Sequence, residues 1–446
     1  LDHLFVEPIG PLEEQVFPVL TGLLEDWRAW WAQQGRAVHV VGPNRDPGSH
    51  AVCDFLARNV IQYRFLDAEG PVGMALLEEA GASAEELPLV LLEGGERLAR
   101  PSMLELANAM NLATTPKQEH YDLIVIGGGP AGLGAAVYGS SEGLSTLLLE
   151  TDAPGGQAGQ SSRIENYLGF PAGLKGGELA QRALLQALRF GTEVVRLSDA
   201  TALECAERGA AVRLADGTEL GCRAAVIATG VTYRRLEAPG IERLLGRGIY
   251  YGAAATDAQS YDGRRVFIVG GANSAGQAAL HFARHAGSVT MLVRAGSLEA
   301  RMSRYLVERI ARADNIEVLT RTEVTGASGD KHLERLTLSG IGEEQSREAP
   351  ADVMFVFIGA VPHTEWLSGV ARDDGGYVLS GREIDRERAG WSLGRDPLPL
   401  ETNLPGVFAA GDVRSGSIKR VASAVGEGAM AVQLVHDYLA EQDGLL

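Results

Sequence analysis

The chain has 446 residues, 45% of them hydrophobic, enough for roughly three domains of about 150 residues, each with a core. A formal net charge of −18 leaves no basic face to neutralise phosphates, so a nucleic-acid partner is not expected. The three cysteines, Cys53, Cys205 and Cys222, form no CxxC pair, which points to a reducing, cytoplasmic setting without a disulfide framework.

No apolar run reaches the roughly 18 residues of a membrane span, and no signal peptide is visible. No Cys/His cluster has metal-ligand spacing, so no metal site is expected; His281 and His285 read as solvated or capping residues.

In chain order, residues 1–34 read as a short strand and an amphipathic helix, with Trp27, Trp30 and Trp31 on one face. The chain begins at Leu1 and not at Met, so a preceding segment is expected. Residues 36–112 read as a small βαβ-type unit: strand AVHVVG, helix GSHAVCDFLARN and strand IQYRFLDA. A hairpin through LPLVLLEGGERLARP and a final helix SMLELANAMN complete it, and TTPKQEH is a polar linker. The remainder carries an internal repeat, residues 121–150 and 264–294, each read as strand, glycine-rich turn, small-residue helix, strand. Two such units predict two nucleotide sites.

In the first unit Gly127 permits a tight turn, Gly129 lets the backbone approach a pyrophosphate, and Gly132 lets the helix pack on the strand. Pro130 and Ala131 open that helix, whose N-terminus favours negative charge. Glu150 ends the second strand, roughly 20 residues on, where a carboxylate accepts from a ribose. The second unit reads Gly270, Gly271, Asn273, Ser274, Ala275, with alanine for the last glycine. Its second strand ends in Arg294, which favours NADPH over NADH, with Arg301 as a helper and Glu299 as an opposing charge. Ala228, Thr229 and Gly230 form a strand-to-turn exit. Asp412, after Gly411, can accept from a ribityl hydroxyl, and the helix opening at Arg420, Val421 and Ala422 can aim its N-terminus at a flavin.

With these motifs in place, residues 121–446 resemble the low-molecular-weight thioredoxin reductase family of flavoproteins. The segment GGQAGQSSRIENYLGFP resembles that family's flavin-contacting stretch, so Gly156, Gln157 and Asn166 are implied FAD contacts. The resemblance implies an α/β fold with two Rossmann-like domains, for FAD and NAD(P)H, the second inserted in the first through a two-stranded hinge. Expected boundaries are 117–238 and 360–446 for the FAD domain and 239–359 for the NAD(P)H domain. It also implies a homodimer. The family's CxxC would fall on residues 253–256, which here are Ala253, Ala254, Ala255 and Thr256; the acid that follows is kept as Asp257, the one catalytic candidate. With no thiol there, no thiolate can exchange with a flavin.

Residues 36–116 resemble a thioredoxin/glutaredoxin-like domain whose CxxC would fall on Asp46, Pro47, Gly48 and Ser49, with Pro88 at the cis-proline position. Residues 1–35 resemble the tail of a response-regulator receiver domain. The combined reading is an FAD-dependent NAD(P)H oxidoreductase that passes electrons to an external acceptor: a ferredoxin- or flavodoxin-like protein, a quinone or other small molecule, or oxygen. It is not a thioredoxin reductase on this reading. The alternatives are a flavin-based redox-sensing module with little turnover and an inert scaffold.

Overall fold

The computed structural model describes residues 38–44, 46–92, 95–161, 164, 166–206, 209–251, 261–343 and 345–444. The strand and helix expected within residues 1–34, the three tryptophans there, residues 253–256 and Asp257 lie outside the described residues. The chain divides into two compact units, one holding residues up to Thr115 with Thr151–Ala153 and Val195–Ser198, the other holding the rest.

The first unit is a four-stranded sheet ordered Tyr63–Asp67, Val38–Gly42, Leu89–Leu91, Arg97–Ala99. Only the first pair is parallel. The helix Pro47–Arg58 starts where Asp46 caps it, its carboxylate accepting from the Ser49 N–H at 2.6 Å, and where Pro47 presets the first turn. Val52, Phe55 and Leu56 are its buried face. Asp46, Pro47, Gly48 and Ser49 thus occupy the helix start, and the Leu87–Pro88 peptide is cis, as the sequence led us to expect. A second helix, Pro71–Ala80, was not anticipated. Its signals were present: Pro71 follows Gly70 at the start, and Gly81 closes it in the left-handed region at φ 60°.

The second unit holds two α/β layers. Its seven-stranded sheet runs Glu193–Val195, Thr146–Leu149, His120–Ile126, Glu219–Ile227, Ala210–Leu214, Ala200–Cys205, with Val407–Ala409 also pairing to Glu219–Ile227. A five-stranded, all-parallel sheet runs Ile249–Tyr251, Val353–Val356, Arg265–Val269, Ser288–Val293, Ile316–Thr320. A three-stranded antiparallel sheet, Thr322–Ser328, Arg335–Gly340 and Ser346–Pro350, is attached to it in sequence. Strands Val231–Tyr233 and Ala360–Pro362 pair antiparallel, and the five- and three-stranded sheets are built from described residues that lie between them in sequence. The result is an α/β fold with two Rossmann-like domains, the second inserted into the first. The near-continuous apolar strands, such as Leu147, Leu148, Leu149 and Val353–Val356, are those of parallel sheets buried on both faces.

Candidate functional site

At the end of strand His120–Ile126 the chain turns through Gly127 at φ 106°, and a side chain there would come within 2.5 Å of the Ala228 carbonyl oxygen. Only glycine satisfies both constraints. A side chain at Gly132 would collide with the Gly127 carbonyl, so the helix Pro130–Ser141 packs directly against the turn that launches it. Pro130 takes the first helical position, and the cap residue Gly129 contributes no side chain, so the helix N–H groups stay open to a ligand. Glu150 is buried at the end of the next strand and accepts from the Gly128 N–H at 2.7 Å. It therefore braces the turn from below, besides lying at the place expected for a ribose acceptor.

Two further segments close on that turn. Gly156, at φ 53°, lies so near Gly129 that an added Cβ would sit 3.0 Å from the Gly129 Cα. Gln157 follows, exposed, in the single helical turn Gly156–Gly159, and Asn166 is exposed in a bend. On the other side lies Gly411, at φ 80°, where a Cβ would be 2.8 Å from the Ala131 side chain. A Cβ at Gly134 would come within 2.9 Å of the Val425 carbonyl, and one at Gly428 would collide with the Ala131 carbonyl. The helices Pro130–Ser141 and Val421–Gln442 thus touch backbone to backbone, and the Val421 end, like the Pro130 end, has no side-chain cap. Arg420 is its cap residue and Ala422 is exposed in its first turn. A cradle that glycines keep open, flanked by two uncapped helix N-termini, fits the diphosphate and ring of a flavin dinucleotide.

The sequence reading missed Glu427. From the long helix its carboxylate accepts the Gly411 N–H at 2.7 Å and the Arg414 guanidinium at 2.6 Å, fixing the Gly411–Asp412 turn. Nothing local in the sequence marks this contact, which spans 16 residues. Asp412 is half-buried, and burial pushes its carboxyl up; the Lys419 charge pulls it back and Glu427 adds to the rise. Lys419 Nζ donates to the Asp412 carbonyl at 3.1 Å and sits 4.6 Å from the centre of the Tyr377 ring. Burial, then the Asp412 and Tyr377 charges, pushes the Tyr233 phenol up to about 12. At the exit strand, Thr229 Oγ1 donates to the His363 carbonyl at 2.9 Å and Gly230 turns at φ 65°.

The second turn repeats the first with different stops. Gly270, at φ 144°, faces the Phe357 carbonyl at 2.6 Å from an added Cβ, and Gly271 faces Val293 at 2.8 Å. The helix Asn273–Phe282 follows without a side-chain cap; Ser274 is exposed and Ala275 is buried. Asn273 Oδ1 accepts the Ser303 N–H at 2.8 Å, tying the loop after strand Ser288–Val293 to the helix start. Arg294 opens that loop, exposed, with Nε 3.7 Å from Glu323 Oε2. Arg301 is exposed in the same loop. Glu299, the feared opposing charge, is turned onto its own backbone and Ser297, which hold its carboxyl below the usual range.

None of the three thiols is poised for chemistry. Burial pushes the Cys53 and Cys222 thiols above the ordinary range, Cys222 to about 12, while Cys205 is exposed at the end of strand Ala200–Cys205. Cys53 packs in the core of the first unit, and Cys222 Sγ donates to the Ala210 carbonyl at 3.4 Å. Among the described residues no group of His, Cys, Asp or Glu could hold a metal, and no helix is long and apolar enough to cross a membrane.

Residues 121–428 match the family model of the pyridine nucleotide-disulphide oxidoreductases. A thioredoxin reductase of Listeria monocytogenes is 32% identical over 332 residues, covering 73% of this chain and 96% of its own. The Clostridium pasteurianum 34.2 kDa protein in rubredoxin operon is 31% identical, covering 72% of this chain and 98% of its own. Among solved structures, thioredoxin reductase from Giardia duodenalis superposes with a TM-score of 0.65 at 26% identity, covering 72% of this chain and all (100%) of its own. The Streptococcus pyogenes enzyme gives 0.63 at 28% identity, covering 72% and 99%.

Proposed function

The chain belongs to the pyridine nucleotide-disulphide oxidoreductase family, whose thioredoxin reductase-like members use FAD and NADPH, and from that premise we propose an NADPH oxidase or reductase that delivers electrons to an external, non-dithiol acceptor. One observation carries the reading: both dinucleotide turns are built, while the last cysteine in the sequence is Cys222. The stretch where the family's redox pair would fall, residues 253–256, is Ala-Ala-Ala-Thr.

When bound, FAD supplies a two-electron acceptor and NADPH the hydride. The chain's own part is placement and electrostatics. Gly127, Gly129 and Gly156 would leave the backbone open to a diphosphate, and Glu150 holds the turn in register. Glu427 holds the Gly411–Asp412 turn, and the uncapped N-terminus at Val421 offers N–H donors and a positive dipole end to negative charge on a reduced ring. Small side chains at 253–255 leave no internal electron acceptor, so the exit must be an outside molecule.

The test is anaerobic rapid mixing with NADPH, followed by an acceptor screen. Loss of flavin absorbance within seconds and reoxidation by a redox protein, quinone or oxygen support the reading. A flavin that stays oxidised overturns it; fast reduction with no acceptor that reoxidises the flavin faster than air favours the redox-sensing alternative, which the absence of cysteine at both dithiol positions, 46–49 and 253–256, also suits.

A further inference from the structure

We propose that Arg321 is a further cation of the 2′-phosphate site, beside Arg294, and sets the preference for NADPH, with Glu323 the carboxylate that Arg294 exchanges for that phosphate. The inference rests on the NADPH-using reading above. It deepens that reading by naming a residue outside both glycine motifs and beyond the second strand of the repeat.

Strand register sets which residues share the edge. Strands Arg265–Val269, Ser288–Val293 and Ile316–Thr320 are consecutive and parallel, with Val269 opposite Leu292 and Val293 opposite Thr320. The first residues past their carboxyl ends are therefore Gly270, Arg294 and Arg321, side by side along one edge. In doubly wound sheets ligands bind at that edge, and the residue past the second strand meets the adenosine ribose. Arg321 is the next residue along the edge.

Local geometry brings Arg321 back over the turn that follows Arg294. Its N–H donates to the Ala295 carbonyl at 3.1 Å, and its own carbonyl accepts the Ile341 N–H at 2.8 Å. A Cβ on Gly296 would lie 3.6 Å from Arg321 Nε and 3.9 Å from Nη2, so the guanidinium rests against that turn. Arg321 is held at φ 50°, in the left-handed region that a residue with a Cβ enters only at a cost. Glycine or asparagine would meet the turn's backbone need more cheaply; arginine adds only its side chain. Among the described residues that exposed guanidinium has no carboxylate partner, whereas Arg294 is paired with Glu323. Two guanidiniums flanking one turn suit a dianionic phosphate held by charge-assisted hydrogen bonds.

The test is calorimetric titration of the FAD-loaded protein with 2′,5′-ADP and 5′-AMP, which differ only in the phosphate at issue. Arg321→Gln should weaken 2′,5′-ADP by about 10- to 100-fold and leave 5′-AMP unchanged. Arg321→Gly should lose the same affinity while its melting temperature holds or rises, because glycine enters the left-handed region freely. Glu323→Gln should tighten 2′,5′-ADP. Unchanged 2′,5′-ADP binding in Arg321→Gln, or equal loss of both nucleotides, overturns the assignment. A wild-type protein that binds the two nucleotides alike also overturns it, and leaves the reading of flavin and acceptor standing.

Discussion

The backbone N–H of Gly411 donates to Glu427 at 2.7 Å, so a carboxylate from the last long helix fixes the turn that carries Asp412. The same carboxylate receives Arg414 at 2.6 Å, and both side chains of this ion pair are largely buried. Replacing Glu427 by alanine strands a half-buried guanidinium and an amide donor. The expected cost is about 2 kcal/mol of stability together with loss of bound flavin. Chemical unfolding and the ratio of flavin to protein absorbance measure the two effects, and Glu427→Gln, which keeps an acceptor oxygen, should be milder in both.

Two glycines of that helix should respond oppositely to alanine. A Cβ at Gly428 runs into the Ala131 carbonyl, so Gly428→Ala forces the two helices apart and should cost about 1–3 kcal/mol. Gly426 has open space around it, so Gly426→Ala should gain about 0.5–1 kcal/mol from helix propensity. Thermal unfolding of the two variants side by side checks the sign of each.

Arg265 and Asp352 couple adjacent strands of the second layer. The carboxylate accepts from Arg265 Nη2 at 2.8 Å, Nε at 3.0 Å and the backbone N–H at 2.8 Å. These bonds hold the Asp352 carboxyl down from 3.8 to about 2. A depressed folded-state pKa contributes stability that is present above about pH 4 and is lost as pH falls toward 2. Because Arg265 is half exposed, solvent screening limits the contribution to about 1 kcal/mol. Asp352→Asn should lower stability by that amount at pH 7, and its deficit should vanish near pH 2, as urea titrations at both pH values would record.

Much of this architecture was legible because backbone sterics act through residue type. Gly127 and Gly270 announce their turns and Gly132 the helix packed on the first of them, and each faces a carbonyl oxygen that tolerates no side chain. Glu150 was legible as a strand-end acid, yet its bond to the Gly128 amide needed the fold. Glu427 and Arg321 were not legible, since one acts through a helix crossing and the other through strand order, and neither leaves a local pattern. The helix Pro71–Ala80 was missed although Gly70, Pro71 and Gly81 marked both its ends.

The three thiols offer a control on the central claim. Replacing Cys53, Cys205 and Cys222 by alanine removes all the sulfhydryls in the sequence, and NADPH-dependent flavin reduction should proceed at the wild-type rate. A rate reduced more than about tenfold with flavin content intact would assign a thiol to the reaction.

The most direct measurement is an anaerobic reductive titration of the wild-type holoprotein, counting electrons per flavin. With no dithiol beside the flavin, full reduction should consume about one two-electron equivalent per FAD. Uptake of about two equivalents would reveal a second redox centre and contradict the account.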